Sequence, residues 1–229
     1  MTFNQIKMAL YATYITNYYG YQLKQTDDSK EKKRIRTEYS EVLLGKLKLE
    51  VKVLNPEKIP KDGQFLLASN HRSVIDPLII EIATKSSNIF GHWISKKELY
   101  NSFFFGLFVK NAGTILLDRE QSQMGGFFAD IKKCTQAGDS IYIFPEGTRN
   151  KSESAIEEFK DGSRIIAIKN RLNILPVYIR TNANNQLLSS LQDGKSHRVI
   201  EVEFGDVISY KDKTLSLYDS FVSQFKLEV

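Results

Sequence analysis

Short apolar runs at residues 47–53, 64–68, 89–94, 114–117, 140–144, 174–180 and 199–204 alternate with stretches of helical periodicity near 76–85, 96–111, 122–137, 160–171 and 214–227. This alternation leaves the chain few ways to bury its apolar faces. Each run has the length of a strand, and each stretch between them is long enough to carry a crossover between parallel strands. The first run, Leu47-Lys48-Leu49-Glu50-Val51-Lys52-Val53, alternates strictly and predicts a half-buried strand. The expected architecture is a single α/β domain over residues 47–229, with a largely parallel or mixed central sheet flanked by helices. Asn182–His197 carries neither period and is expected to be a long loop or an irregular hairpin.

Residues 1–46 read differently, as an amphipathic helical hairpin placed before that domain. Residues 1–26 hold Lys7 and Lys24, no acidic residue, and five of the eleven tyrosines. Phe3, Ile6, Leu10, Tyr14, Tyr18 and Tyr21 recur at helical spacing, and Met8, Tyr11, Ile15 and Tyr19 form a second track. So wide an aromatic arc suits a membrane interface, where tyrosine keeps its ring apolar and its hydroxyl wet. Tyr11, Tyr14, Tyr18 and Tyr21 are the expected anchors; a helix packed on its own domain or in a dimer is the alternative. Asp27, Asp28 and Ser29 can cap a second helix, and the cluster Lys30, Lys32, Lys33, Arg34, Arg36 follows. Near an anionic leaflet each such charge adds about 1 kcal/mol of attraction.

Composition narrows the class. With 41% hydrophobic and 26% charged residues, the chain is neither a disordered tail nor a multispan membrane protein. No run of about 18 uncharged apolar residues predicts a membrane span, and the first residues do not read as a signal peptide. The single cysteine, Cys134, rules out a disulfide framework and fits a reducing compartment. The net charge of +5 suits anionic lipid, nucleic acid or a phosphorylated small molecule equally well.

Two clusters carry chemistry. Asn70-His71-Arg72-Ser73-Val74-Ile75-Asp76 follows an apolar run and opens a helix, the place where α/β sheets build sites. A turn between His71 and Asp76 can set the carboxylate on one imidazole nitrogen and leave the other as a base. Ser73 lacks a Gly-x-Ser-x-Gly elbow, and Cys134 falls within an amphipathic helix, so neither reads as a nucleophile. The base is then expected to deprotonate a substrate hydroxyl directly. Phe144-Pro145-Glu146-Gly147-Thr148-Arg149-Asn150 forms an irregular loop after another strand. Its guanidinium suits a phosphate monoester, and an internal Glu146–Arg149 ion pair is the plainer alternative. Gly113–Arg119 ends a strand in a further acid–arginine pair, and Pro176 within Ile174–Ile179 belongs at an edge, a bulge or a strand start.

Taken in order, these blocks resemble the glycerophospholipid acyltransferase family, in particular its bacterial 1-acyl-sn-glycerol-3-phosphate acyltransferases. Asn70–Asp76 fit the family's Asn-His-x-Ser-x-x-Asp, with Asn70 and Ser73 as supporting positions. Gly113–Arg119 fit Gly-x-Ile-x-Ile-Asp-Arg, with Asp118 and Arg119 at its end. Phe144–Arg149 fit Phe-Pro-Glu-Gly-Thr-Arg-Ser through Pro145, but Asn150 replaces the serine. Leu175-Pro176-Val177 is a variant of Val-Pro-Val, and Ser95-Lys96-Lys97-Glu98-Leu99 is similar to the family's Ala-Lys-x-Glu-Leu. The likeness covers roughly residues 47–180.

The resemblance implies transfer of an acyl group from a thioester to the free sn-2 hydroxyl of lysophosphatidic acid, giving phosphatidic acid. His71 would be the base and Asp76 its orienting partner. Arg149, with Glu146, Gly147 and Thr148, would hold the acceptor phosphate, and Lys96 and Arg119 would add contacts. No cofactor or metal is implied. The expected partners are a lysophospholipid acceptor, an acyl thioester donor (acyl carrier protein or coenzyme A) and a membrane surface with anionic lipid. The expected location is peripheral, on the cytoplasmic face of the inner (plasma) membrane. Rival readings are another acceptor such as a lyso-ornithine lipid, or a non-catalytic lipid-binding module. Nucleic acid is not expected, because the densest basic run adjoins a tyrosine-rich helix rather than a groove of stacking partners.

Overall fold

The computed structural model describes residues 3–117, 124–212 and 214–228. Two helices, α1 (Phe3–Leu23) and α2 (Ser29–Lys46), precede the first strand, β1 (Leu49–Val53). Then follow β2 (Phe65–Ser69), α3 (Asp76–Ala83), β3 (Gly91–Lys96), α4 (Gly106–Asn111), β4 (Ile115–Leu117), α5 (Met124–Gln136) and β5 (Ser140–Ile143). The chain closes with α6 (Gly162–Asn170), β6 (Asn173–Ile179), α7 (Ala183–Asp193), β7 (Arg198–Phe204) and α8 (Leu217–Phe225). The strands form one seven-stranded sheet in the order β1-β7-β6-β2-β5-β3-β4. Every pairing is parallel except β6 with β7, so the sheet is mixed but largely parallel, as the sequence predicts.

Alternation along the strands divides the core into two layers. Leu67, Tyr142 and Leu175 face α1, α2, α3 and α7, while their neighbours Leu66, Ile141 and Ile174 face α5, α6 and α8. Strands covered on both faces read as continuous apolar runs, which is why they stand out in the sequence.

Two expectations are corrected. Residues 182–197 are not a loop: they hold α7, capped by the Asn182 side chain on the Asn185 N–H and ended by left-handed Gly194. Its stabilising pair, Leu187 and Leu191, packs on the core one turn apart, too short a period to stand out among asparagines and serines. The stretch 96–111 is not one helix: a 3-10 turn at Lys97–Asn101 precedes α4, and the Ser102 carbonyl and hydroxyl accept the Gly106 and Phe105 N–H groups between them. Pro176 lies in an interior strand, between β2 and β7, and of its expected settings it takes the bulge. There the register against β7 shifts by one residue, from the Ile174–Ile208 bridge to the Val177–Phe204 pair. That bulge is the setting in which a sheet tolerates a missing N–H.

The helical pair is tied to the sheet. Tyr19 and Leu23 of α1 and Ile35, Tyr39, Leu43 and Leu44 of α2 are buried in the same cluster as the strand residues. Two members of the α2 basic cluster, expected beside an anionic leaflet, turn inward instead. Lys33 and Arg36 are buried against Glu81 of α3 at 2.7 and 2.8 Å, and Arg34 pairs with Glu31 and Glu38 on the surface. Arg36 further donates to the carbonyls of Gly91 and Ala112, and Lys33 to the Thr84 hydroxyl. Burial pushes the Glu81 carboxyl up, but Arg36 and Lys33 more than offset this and hold it down at about 2. Removing one member of a buried charge group leaves the others uncompensated, at a cost of about 3–5 kcal/mol. Glu81→Ala is therefore expected to lose stability on that scale in urea denaturation, while Arg34→Ala on the surface changes it by under about 1 kcal/mol.

Candidate active site

The site is built on the loops that leave β2 and β5 at their carboxyl ends. Asn70, the first residue beyond β2, is buried and acts as an extra rung of the sheet. Its amide donates to the Ile179 carbonyl at 3.1 Å and accepts the Ile179 N–H at 2.8 Å. This fixes the chain where His71 begins.

His71 is then held at three points. Its N–H donates to Glu146 Oε1 at 2.6 Å, its carbonyl accepts the Asn150 N–H at 2.6 Å, and its Nδ1 lies 2.8 Å from Asp76 Oδ2. The same Asp76 oxygen accepts the N–H groups of Arg72 and Ser73, each at 2.7 Å. An Asp76 oxygen that already accepts two N–H groups can only accept from the imidazole, so Nδ1 carries a hydrogen and Nε2 is the nitrogen that faces away from the carboxylate. Asp76 is 1% exposed and lies in the first turn of α3, where the helix dipole favours its charge. The ring of His71 stacks on Phe144, with centroids 4.0 Å apart and planes 10° apart. Phe144 stacks in turn on Trp93 at 5.0 Å, and the Trp93 Nε1–H donates to Glu81 Oε1 at 2.8 Å. Sequence patterning missed this column: Trp93 reads only as a strand residue, and nothing in the sequence pairs Glu81 with it.

The β5 loop does two jobs with neighbouring residues. Glu146 turns inward, its second oxygen accepting the Glu157 N–H at 3.0 Å, so it braces the His71 loop against residues 150–158. Burial pushes its carboxyl up to about 7, against the two backbone N–H bonds that favour charge. The resemblance places Glu146 with the phosphate-binding residues, but its carboxylate faces the backbone N–H of His71. The alternative of a Glu146–Arg149 ion pair is also absent among the described residues. Gly147 turns the chain with φ of 72°, a conformation that only glycine adopts without strain. Thr148 and Arg149 beyond it are exposed, and Pro145 is buried, its carbonyl accepting the Lys160 N–H at 2.8 Å. Asn150 is buried and knots the following turn, its side chain receiving Ser152 N–H and Oγ–H and donating to the Ser154 carbonyl. It does more than fill the serine position: its backbone is what clamps His71.

Lys96 ends β3 and is exposed on the same rim, one strand beyond β5. Asp118 and Arg119 lie outside the described residues. Ser73 is buried, and its hydroxyl accepts the Ile75 N–H rather than meeting the histidine. Cys134 packs against the second core layer, and burial pushes its thiol up to about 11, which keeps it protonated. His92 joins Asp139 at 2.7 Å and the Gly113 carbonyl at 2.5 Å, a structural link far along the strands from His71. No group of histidine, cysteine and carboxylate side chains able to hold a metal occurs among the described residues.

Two predictions follow from this geometry. Phe144→Leu removes the stacking face of His71, and kcat is expected to fall about 10- to 100-fold with a smaller change in KM. An unchanged kcat would show that Asp76 alone sets the ring. For Glu146 the folded pKa lies above the usual carboxylate range, so the folded state binds more protons than the unfolded chain between about pH 4.5 and 7. Stability is thus expected to fall as pH rises through that window, by up to about 1.4 kcal/mol per unit from this group. Urea midpoints across the window should show the fall, and Glu146→Gln should flatten it.

The chain's likeness to other proteins agrees with this site. It is 39% identical over 131 residues to the 1-acyl-sn-glycerol-3-phosphate acyltransferase of Helicobacter pylori, covering 55% of this chain and 53% of that protein. It is 28% identical over 159 residues to the enzyme of that name from Streptococcus pneumoniae, covering 69% of this chain and 55% of that one. The chain thus spans about half the length of the curated relatives it matches. The crystal structure of the 1-acyl-sn-glycerophosphate (LPA) acyltransferase of Thermotoga maritima shares the fold, with a TM-score of 0.69 over 97% of this chain and 92% of that one at 19% identity. The acyltransferase family model matches residues 50–180, more than half of the chain and the stretch that holds His71, Asp76 and Arg149. The chain belongs to the acyltransferase family.

Proposed function

We propose that the chain transfers a fatty acyl group from an acyl thioester to the free sn-2 hydroxyl of lysophosphatidic acid, giving phosphatidic acid. The observation that carries this reading is the His71–Asp76 pair with Nε2 unengaged, beside a loop whose arginine has no ion-pair partner among the described residues. His71 Nε2 takes the proton of the acceptor hydroxyl as its oxygen attacks the thioester carbonyl. A C–O bond forms, the C–S bond breaks, and the imidazolium returns the proton to the leaving thiolate. Asp76 stabilises the imidazolium between those steps. No protein nucleophile takes part, in keeping with the engaged Ser73 hydroxyl and the protonated Cys134. Arg149 anchors the acceptor phosphate through its planar fork, with Gly147 and Thr148 shaping the loop and Lys96 and Arg119 adding charge on the rim. The likeness to 1-acyl-sn-glycerol-3-phosphate acyltransferases supports the same choice of acceptor.

Residues 1–46 serve as the interfacial anchor and residues 47–229 as the acyltransferase domain. No helix among the described residues is long and apolar enough to cross a membrane. The outer track of α1 supports a peripheral contact instead: Ile6, Leu10, Tyr14, Tyr18 and Tyr21 are all exposed, Leu10 and Tyr14 by two thirds. Tyr11, expected among them, lies on the inner track and packs on the domain beneath Lys46. The enzyme works on the cytoplasmic face of the inner membrane, drawing acyl groups from acyl carrier protein or coenzyme A.

The test is thiol release from an acyl thioester, with and without 1-acylglycerol-3-phosphate. His71→Ala is expected to cost about 10²–10⁴ in rate without unfolding. Arg149→Ala should raise KM for the lysolipid more than for the thioester, with partial rescue by Arg149→Lys. Release that is indifferent to the lysolipid, or near-normal turnover in folded His71→Ala, would refute the assignment.

A further inference from the structure

We infer that the segment Phe103–Leu107 is a second lipid-contacting element that joins the outer face of α1 in one bilayer-binding surface. The inference rests on the membrane-surface reading above and extends it beyond the amino-terminal helices. Phe103 is 82% exposed and Phe104 51%, and Phe105 and Leu107 are exposed beside them. Large apolar side chains shown to water side by side mark a contact surface rather than chance exposure. They are held out by a built turn. Ser102 accepts both the Phe105 and Gly106 N–H groups, and the rings of Phe103 and Phe104 meet edge to face at 5.4 Å.

The turn leads directly into α4, which is fused to α1. A Cβ on Gly20 would lie 2.9 Å from the Phe108 nitrogen and 3.2 Å from the Leu107 carbonyl carbon, so the two backbones touch there. The Asn111 amide bonds the Gly20 carbonyl at 3.0 Å. Beside Gly20, Tyr21 is exposed on α1, and Leu107 is exposed where α4 meets it. The outer track of α1 and the phenylalanine turn are therefore parts of one rigid unit.

Charge selects lipid as the occupant. Residues 1–26 and 100–117 hold no carboxylate, whereas Lys7, Lys24 and Lys110 are exposed in these two segments. Apolar and tyrosine side chains bordered by lysines suit an anionic leaflet, where the rings enter the headgroup region and the ammonium groups stay in water. The 3-10 turn Lys97–Asn101 joins this segment to Lys96, which ends β3 on the rim where His71 stands.

The test is flotation with vesicles of phosphatidylglycerol and phosphatidylethanolamine, using full-length protein checked for folding by its melting curve. Phe103→Asp with Phe104→Ser and, separately, Leu10→Asp with Tyr14→Asp are each expected to weaken vesicle binding by about tenfold or more. If the phenylalanine pair binds as the parent does while the α1 pair is weakened, the second element is disproved and the α1 anchor stands. If both pairs bind normally, the membrane reading fails as well. Sedimentation without vesicles covers the remaining occupant: a parent dimer turned monomeric by the phenylalanine pair would assign the turn to a second copy of the chain and overturn the inference.

Discussion

The carboxylate of Glu81 is the interaction on which most of this structure leans. It sits fully inside the protein between α2, α3 and β3, and a charge there is tolerable only because Arg36, Lys33 and the Trp93 indole satisfy it. Those partners come from two elements, α2 and β3, while Glu81 itself belongs to α3. Arg36 reaches on to carbonyls of β3 and of the turn before β4, so one ionic group sets the distance between the helical layer and the sheet edge. Trp93, oriented by Glu81, supports Phe144, and Phe144 supports His71. A buried ion group gives little net stability over apolar packing, but it does define which arrangement of its partners is allowed. Here that definition extends to the plane of the imidazole.

The rim above the sheet divides its work between two loops of opposite character. The loop after β2 presents a histidine whose peptide group is bound on both sides, so little freedom is left in the backbone beneath it. The loop after β5 keeps Glu146 inside as a brace and sends Arg149 outside, with no ion-pair partner among the described residues and with glycine as the pivot between the two. Residues of opposite charge three positions apart thus end up facing different parts of the molecule. That arrangement explains how a short loop can be rigid at its base and still offer a guanidinium to a ligand.

Much of the sheet was legible because strands buried on both faces leave unbroken apolar runs between punctuating turns, and all seven runs became strands. The histidine–aspartate pair was legible for a local reason: Asp76 opens α3, and His71 stands five positions before it in the turn that leads in. What was hidden depends on partners far apart in sequence. The α2 basic run looks solvated until Glu81, 45 residues beyond Arg36, turns two of its charges inward. The role of Glu146 is fixed by the N–H groups of His71 and Glu157, which no spacing rule connects. The helix at Ala183–Asp193 was obscured because its cap and its one apolar pair are scattered among residues of low helix propensity. Pro176 was placed by its bulge, since the alternative of an edge strand is equally good on local grounds.

The stack of Trp93, Phe144 and His71 also gives the protein a built-in optical reporter. The chain contains a single tryptophan. All of its indole fluorescence therefore arises one ring away from the catalytic-base candidate, from a side chain whose N–H is already engaged and whose exposure is only 9%. Emission from such a site is insensitive to the bulk surface and responds to whatever moves Phe144 or alters the field of Glu81. Substrate arrival, proton uptake by His71 and loosening of the α2 contact can thus be followed in unlabelled protein, in real time, as changes in one spectroscopic signal.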